Sequence, residues 1–277
     1  MNTLEAARRF FGDWVAAHAE ATDPRIATAF ATVPREKFIG PGPWLALAGE
    51  GGYVRTPNDD PALVYQNLVF ALLPEKHLNN GEPSLHARWM SAVAPRAGER
   101  VLHVGTGAGY YTAILSELVG REGRIEGRDV EADMVAAATR NLADRPNIAI
   151  VGRSGLEAPL PESDVIYVCA GTTQPARVWL DALAPGGRLL VPLAPGWGRG
   201  GALLVTRADP GFAARFVSQV WIFSCVGGQD AAAAEALEQA LQRGGEGEVK
   251  SLRLAPEPPD ATCWLAGDGW WLSTAAV

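Results

Sequence analysis

The sequence is poor in cysteine, in histidine and in long apolar runs. Its 277 residues include 3 cysteines and 4 histidines, and no two cysteines stand at a CxxC spacing. We therefore expect neither a disulfide framework nor a metal site. No apolar run reaches the roughly 18 residues that a transmembrane helix needs, and residues 1–20 lack the apolar segment of a secretory signal. These absences favour a cytoplasmic protein with no membrane partner.

Basic residues are also scarce. The chain has 24 Lys and Arg against 31 Asp and Glu, a formal net charge of −7, and no run of about five or six basic residues. This balance argues against a protein held on nucleic acid by phosphate contacts. The hydrophobic fraction of 48% is ordinary for a globular protein with a buried core.

Hydrophobic periodicity predicts an α/β protein with a Rossmann-like, doubly wound and mainly parallel sheet. An amphipathic helix opens the chain, residues 39–63 and 74–83 have the composition of loops, and a helix is expected from Ser84 to about Val93. From residue 99 short apolar strands alternate with helical stripes, which is typical of βαβ units. We expect three parts: a helical segment at 1–98, the sheet core at 99–225, and a small α+β extension at 226–277.

A glycine-rich turn is the best-defined motif. It spans His103 to Gly109, with the sequence HVGTGAG, between a predicted strand and a predicted helix. Glycines allow a tight turn and close approach of a ligand, and the helix start offers unpaired N–H groups. The dinucleotide fingerprint needs glycine at position 110, where this chain has tyrosine. The spacing therefore favours a nucleoside with an amino-acid tail over a pyrophosphate.

An acidic residue follows at the place where a ribose would lie. Asp129 ends the next predicted strand, about twenty residues after Gly109. A carboxylate there can accept hydrogen bonds from both ribose hydroxyls. A glycine turn alone occurs in many α/β folds. The combination of the turn with Asp129 is what indicates a nucleoside site.

Four segments together are similar to one known family. They are 33–38 (VPREKF), 101–110 (VLHVGTGAGY), 147–152 (NIAIVG) and 183–192 (LAPGGRLLVP). The chain resembles, over about residues 25–220, the protein-L-isoaspartate O-methyltransferase family of class I S-adenosylmethionine-dependent methyltransferases. The tail from 226 has no counterpart in that pattern.

The resemblance implies S-adenosyl-L-methionine as cofactor, bound by residues 99–225, with an acceptor side and lid in residues 1–98. Asp129 would accept hydrogen bonds from the ribose hydroxyls. Ser154 and Gly155 would lie near the adenine edge. The residues that would face the methionine end and the ribose are Gly105, Thr106, Gly107 and Gly109.

The chain departs from the family pattern in three places. His103 stands where the family has an acid, and the run Gly152-Arg153-Ser154 replaces its "GDG". Alignment on Pro83 places Gly81 where the family has a serine close to the transferred methyl group. Because the serine hydroxyl is missing, a methyl acceptor other than an isoaspartyl residue stays an alternative.

Candidate acceptor-side residues lie before the sheet. Asn80 and Ser84 can donate hydrogen bonds to a carboxylate, and the helix that starts there adds a favourable dipole. His86 is a candidate base, although a carboxylate acceptor is already ionised and needs none. A serine after proline at a helix start is often only a cap, and a helix-face histidine often only satisfies a neighbour. Further polar candidates are Arg55, Asp59, Asp60, Tyr65, Gln66, Asn67 and Asn79.

Three functions stay open. The leading one is a methyltransferase that acts on a carboxylate, isoaspartyl or other, of a protein or peptide. The second keeps the fold and cofactor but acts on a specialised peptide or small metabolite, which the C-terminal extension would recognise. The third is a non-catalytic nucleoside-binding module. A nicotinamide-dependent reductase is least favoured because residue 110 is not glycine.

Overall fold

The computed structural model describes residues 3–49, 52–196 and 198–277. Their helices are α1 Thr3–His18, α2 Pro24–Thr32, α3 Pro83–Val93, α4 Tyr110–Val119, α5 Ala132–Asn141, α6 Arg177–Ala182 and α7 Ala231–Arg243. Their strands are β1 Leu45–Leu47, β2 Tyr53–Arg55, β3 Ala71–Leu73, β4 Leu78–Asn79, β5 Arg100–Val104, β6 Arg124–Arg128, β7 Ile148–Val151, β8 Ser163–Val168, β9 Leu183–Leu193, β10 Gly198–Arg207, β11 Phe212–Ile222, β12 Ser251–Leu254, β13 Cys263–Gly267 and β14 Trp270–Ser273.

The chain divides into two compact units. The first unit comprises residues 1–99 and 106–152, and the second comprises 100–105 and 153–277. The chain therefore passes from the second unit into the first within the glycine turn itself.

The described residues of the first unit form the helices α1 to α5 and three short strand pairs. β1 pairs with β2 and β3 with β4, both antiparallel, whereas β6 and β7 run parallel. The sequence predicted 39–63 and 74–83 as loops, which was wrong for β1, β2, β4 and the 3₁₀ turns at Pro61–Val64 and Pro74–Lys76. Strands of two or three residues are too short to show an alternating pattern. Whether such residues form a strand depends on pairing with another segment, which the local sequence does not show.

Local signals account for the bounds of α2, which was not predicted, and of α3, which was. Asp23 caps α2 by accepting a hydrogen bond from the N–H of Arg25, and proline occupies its first turn. Proline also starts α3, which ends at Ala94 in the left-handed conformation. The expected helix from Ser84 to Val93 is thus confirmed, one residue longer.

The second unit is built on eight strands in the order β13-β14-β12-β11-β10-β9-β8-β5. β5, β8 and β9 run parallel, as βαβ units require. From β9 onward every described pairing is antiparallel, so the sheet is mixed. The extension at 226–277 continues this sheet, because β12 pairs with β11.

The core of the second unit lies between its strands and two helices. Trp179 of α6 is fully buried, as are Leu189 and Val191 of β9 and Leu237 of α7. The same core includes Trp264 and Trp270 of the extension. Large apolar groups from both parts therefore share one interior, which fixes the extension to the sheet.

Among the described residues, no helix combines the length and the apolar character needed to cross a bilayer.

Candidate cofactor and acceptor sites

The glycine turn has the backbone conformation that its sequence requires. It connects β5 to α4, with φ of +52° at Gly107 and +97° at Gly109. A Cβ atom on Gly109 would lie 2.8 Å from Cδ1 of Leu142, the residue after α5, so this leucine leaves no room for a side chain there. A Cβ on Gly107 would meet only Leu72 Cδ1 at 3.6 Å. The turn is therefore closely packed at Gly109 and has more room at Gly107, where a ligand can approach the backbone.

Asp129 contacts this turn directly. It follows β6, and its Oδ2 accepts a hydrogen bond from the Gly107 N–H at 2.8 Å. Its Oδ1 accepts one from the Glu131 N–H at 3.0 Å. The backbone of Val130 also donates to this carboxylate, whose roughly four lone-pair sites still leave room for a ligand hydroxyl. Burial raises the pKa of Asp129, while these backbone hydrogen bonds act in the opposite direction.

Thr106 supplies a further polar group in the turn. Its side chain is buried, and within the described residues its Oγ1 has no hydrogen-bond partner. Buried hydroxyls are nearly always paired, so an unpaired one beside an open turn suits a polar ligand.

His103 precedes the turn, at the end of β5 in the second unit. It is fully buried, and its Nε2 lies 3.2 Å from the Sγ of Cys169. Burial lowers the pKa of His103 to about 3, so the ring is neutral at physiological pH. Residue 103 therefore carries no charge, unlike the acid that the family pattern has there.

Ser154 and Gly155, predicted near adenine, also lie in the second unit. The Ser154 Oγ accepts a hydrogen bond from the Leu156 N–H at 3.1 Å. The Gly155 carbonyl accepts one from Trp179 Nε1 at 2.7 Å, and a Cβ on Gly155 would collide with Val104. The packing explains the glycine, and the role of both residues in adenine binding stays a prediction.

Asn80, which lies shortly before α3, is hydrogen-bonded to the segment around Phe70. Its Oδ1 accepts a hydrogen bond from the Phe70 N–H at 2.7 Å. Its Nδ2 is buried and, in the part of the chain that the structure describes, lacks a partner. The amide thus has donors to offer to an acceptor molecule.

Ser84 belongs to a closed side-chain network. Its Oγ donates to Glu82 Oε1 at 2.6 Å and accepts from Asn67 Nδ2 at 2.9 Å. The same Nδ2 donates to Glu82 Oε1, and the Ser84 N–H donates to Asn67 Oδ1 at 2.8 Å. Asn67, from a distant segment, therefore binds the free N–H at the start of α3.

His86 packs flat against Tyr111. The ring centroids are 3.5 Å apart and the planes are 12° from parallel. The Tyr111 hydroxyl donates to the Gly81 carbonyl at 3.1 Å, and a Cβ on Gly81 would lie 2.5 Å from His86 Nε2. The imidazole thus occupies the space that a side chain at position 81 would need.

The structure brings the predicted residues of the first unit into two groups. One group is formed by Gly107, which donates to Asp129, and by Thr106, which directly precedes Gly107. The acceptor-side candidates form the other. Asn67, one of the further polar candidates, contacts Ser84, and two residues that the sequence did not predict for the site, Glu82 and Tyr111, contact the same segment. Glu82 could have been suspected from its place two residues before Ser84, but no local pattern indicates the contacts of Asn67 or Tyr111. Among the described residues, no group of three or more His, Cys, Asp or Glu is placed to hold a metal ion.

Comparison with known proteins gives one consistent family. The model of the protein-L-isoaspartate(D-aspartate) O-methyltransferase family matches residues 15–227. A protein-L-isoaspartate O-methyltransferase of Burkholderia mallei is 34% identical over 200 residues, which cover 68% of this chain and 53% of the relative. The Thermotoga maritima protein of that name is 30% identical over 175 residues, covering 61% and 50%. The chain thus spans about half the length of the curated relatives it matches.

Solved structures confirm the predicted Rossmann-like α/β fold. A structure of a protein-L-isoaspartate O-methyltransferase superposes with a TM-score of 0.66 at 22% identity, covering 97% of this chain and 88% of that one. A putative protein-L-isoaspartate O-methyltransferase of Plasmodium falciparum, in complex with S-adenosyl-L-homocysteine, gives 0.63 at 16% identity, covering 79% and 97%.

Proposed function

The chain belongs to the protein-L-isoaspartate(D-aspartate) O-methyltransferase family, and we propose on that premise that it transfers a methyl group from S-adenosyl-L-methionine to a carboxylate of a protein or peptide. The observation that carries the proposal is the contact between Gly107 and Asp129 in the first unit. It places a carboxylate with free lone pairs beside an open stretch of backbone.

The residues of the turn fit such a cofactor. Ribose hydroxyls would donate to the remaining lone pairs of Asp129, whose two oxygens are held by the N–H groups of Gly107 and Glu131. The Thr106 hydroxyl would gain the partner that it lacks. Both contacts require only groups that are already in place.

When bound, S-adenosyl-L-methionine supplies a methyl group on a positively charged sulfur, and the bond from sulfur to that methyl breaks with its electron pair as a carboxylate oxygen forms the new bond. An ionised carboxylate needs no base, so the protein has to orient it and exclude water. His86, a neighbour of Tyr111 in a tight stack, is then not required as a base.

Asn80 is best suited to orient the acceptor. Its buried Nδ2 has hydrogen atoms to donate, whereas the Ser84 hydroxyl already donates to Glu82. Ser84 would then act through its network, by holding the start of α3. In this proposal Asn80 touches the acceptor carboxylate, and Ser84 and His86 shape the surface around it.

The test combines cofactor binding with methyl transfer. Calorimetry with S-adenosyl-L-homocysteine is followed by transfer of radioactive methyl to an isoaspartyl peptide and to the same peptide with ordinary aspartate. We expect binding, and a base-labile methyl ester on the isoaspartyl peptide alone.

Other outcomes separate the alternatives. Transfer only to other modified peptides or to small carboxylates would indicate a specialised acceptor, which the glycine at position 81 favours. Binding with no transfer to any acceptor would indicate a binding module. Absence of S-adenosyl-L-homocysteine binding would overturn the proposal.

A further inference from the structure

Arg35 is a buried cation bound by backbone alone. Its guanidinium donates from Nη1 to the carbonyls of Val64 and Gln66, both at 2.7 Å, and from Nη2 to the carbonyl of Leu68 at 2.6 Å. The side chain is fully buried. One guanidinium thus fixes alternate carbonyls of a single segment, residues 64–68.

Aromatic rings surround the same group. The guanidinium carbon lies 5.5 Å from the ring centroid of Phe11, 5.1 Å from that of Phe70 and 5.9 Å from that of Tyr110. Within the described residues no carboxylate pairs with Arg35, and its Nε has no hydrogen-bond partner. Burial lowers the pKa of Arg35 accordingly.

A buried charge without a counter-charge is a poor source of stability. Desolvation of a guanidinium costs several kcal/mol, and apolar replacements of buried ionic groups are often neutral or stabilising. A gain in folding free energy therefore does not account for an arginine here. What only arginine supplies is a planar fork that reaches several carbonyls at fixed angles.

The segment that Arg35 holds reaches the acceptor side. Asn67 lies between the bound carbonyls of Gln66 and Leu68, and its side chain contacts both Glu82 and Ser84. Two residues after Leu68, the N–H of Phe70 donates to Asn80 Oδ1. The position of residues 64–68 thus decides where two acceptor-side contacts are made.

We propose that Arg35 is a positioning residue for the methyl acceptor. By fixing residues 64–68 it places Asn67 against the start of α3 and, through Phe70, orients Asn80. Arg35 itself touches neither acceptor nor cofactor. This role rests on the proposed methyl transfer, since it assigns Asn80 and the start of α3 to the acceptor.

The first test is Arg35→Lys in the full chain. An ammonium group keeps the charge but cannot span three carbonyls in the fork geometry. We expect KM for the isoaspartyl peptide to rise on the order of tenfold, which corresponds to about 1.4 kcal/mol. The Kd for S-adenosyl-L-homocysteine should stay within about twofold, because the turn and Asp129 do not contact Arg35 in the described structure.

Asn67→Ala is the second variant, and it tests the positioning role of residues 64–68 even if Arg35→Lys does not fold. It leaves the arginine in place and should raise the same KM without changing the cofactor Kd. The matched control is Arg188→Lys in the second unit, another buried arginine that donates to a carbonyl, that of Asp164. Its peptide KM should not change.

Hydrogen exchange gives a readout that does not depend on activity. Both variants should speed exchange at residues 79–86 and leave residues 124–129 unchanged, because neither Arg35 nor residues 79–86 have a described contact with that strand and Asp129. An unchanged peptide KM, equal losses in peptide and cofactor binding, or unchanged exchange at 79–86 would overturn the positioning role. Lack of methyl transfer by the unsubstituted protein would instead refute the proposed function, and exchange would still decide whether Arg35 positions this segment.

Discussion

The backbone N–H of Gly107 donates a hydrogen bond to Oδ2 of Asp129 across 2.8 Å. The bond joins the turn after β5 to the residue after β6. It restrains the backbone of Gly107 and the side chain of Asp129 at the same time. A carboxylate that holds a backbone N–H in this way is pre-oriented, and a ligand that it binds need not order it first.

Asp129→Ala should weaken binding of S-adenosyl-L-homocysteine. The substitution removes the proposed acceptor of the ribose hydroxyls and frees the Gly107 N–H, a loss of about 1–3 kcal/mol for hydrogen bonds to a charged group. Calorimetry at neutral pH measures it. Asp133→Ala, at an exposed acid on the first turn of α5, is the control and should bind as the parent does. An unchanged affinity for Asp129→Ala would remove this residue from the site.

His103→Gln should flatten the pH dependence of stability on the acid side. Burial lowers the pKa of His103 in the folded protein to about 3, from the ordinary histidine value of 6.5, so between these values the unfolded chain binds a proton that the folded chain does not bind. The folded state therefore loses stability as the pH falls through this window, by about 1.4 kcal/mol per pH unit from this residue. Above about pH 7 the residue contributes no slope.

Urea denaturation at a series of pH values compares this variant with the parent. Glutamine keeps a polar group beside Cys169 but does not titrate in this range. Parallel curves for His103→Gln and the parent between pH 4 and 6.5 would mean that His103 is protonated in the folded state.

Gly81→Ala should destabilise the protein more than Gly40→Ala. The two glycines have nearly the same backbone conformation, with φ of +71° and +72°. A Cβ at Gly40 meets no atom of the described residues within 4 Å, whereas one at Gly81 would lie 2.5 Å from His86 Nε2. Both variants incur the cost of a left-handed alanine, about 1–2 kcal/mol, and only Gly81→Ala adds an overpacking term of about 1–3 kcal/mol.

The difference in unfolding free energy between these two alanine variants isolates the steric clash. Adding His86→Ala to Gly81→Ala should recover part of that difference, because it removes the imidazole ring that the new Cβ at position 81 would overlap. Equal destabilisation at positions 40 and 81 would show that His86 is not held against Gly81.

Periodic segments were predicted best. The glycine turn was expected between a strand and a helix, and it lies between β5 and α4, which begins at Tyr110 directly after the last glycine of the turn. Their apolar residues repeat at the period of a strand or a helix, and this repeat is visible without knowledge of any partner. β1 and β2 were missed because nothing local distinguishes three paired residues from a loop.

By itself the sequence determined the family, the α/β alternation, the glycine turn and the acid after β6. These features depend on residues close together in the chain, where backbone sterics and periodicity act. Only the tertiary structure decided that Asn67 binds the start of α3, that Arg35 fixes residues 64–68, and that His86 stacks on Tyr111 beside Gly81. Such contacts join side chains far apart in sequence, and they exist only where the packing of several elements brings those side chains within bonding distance.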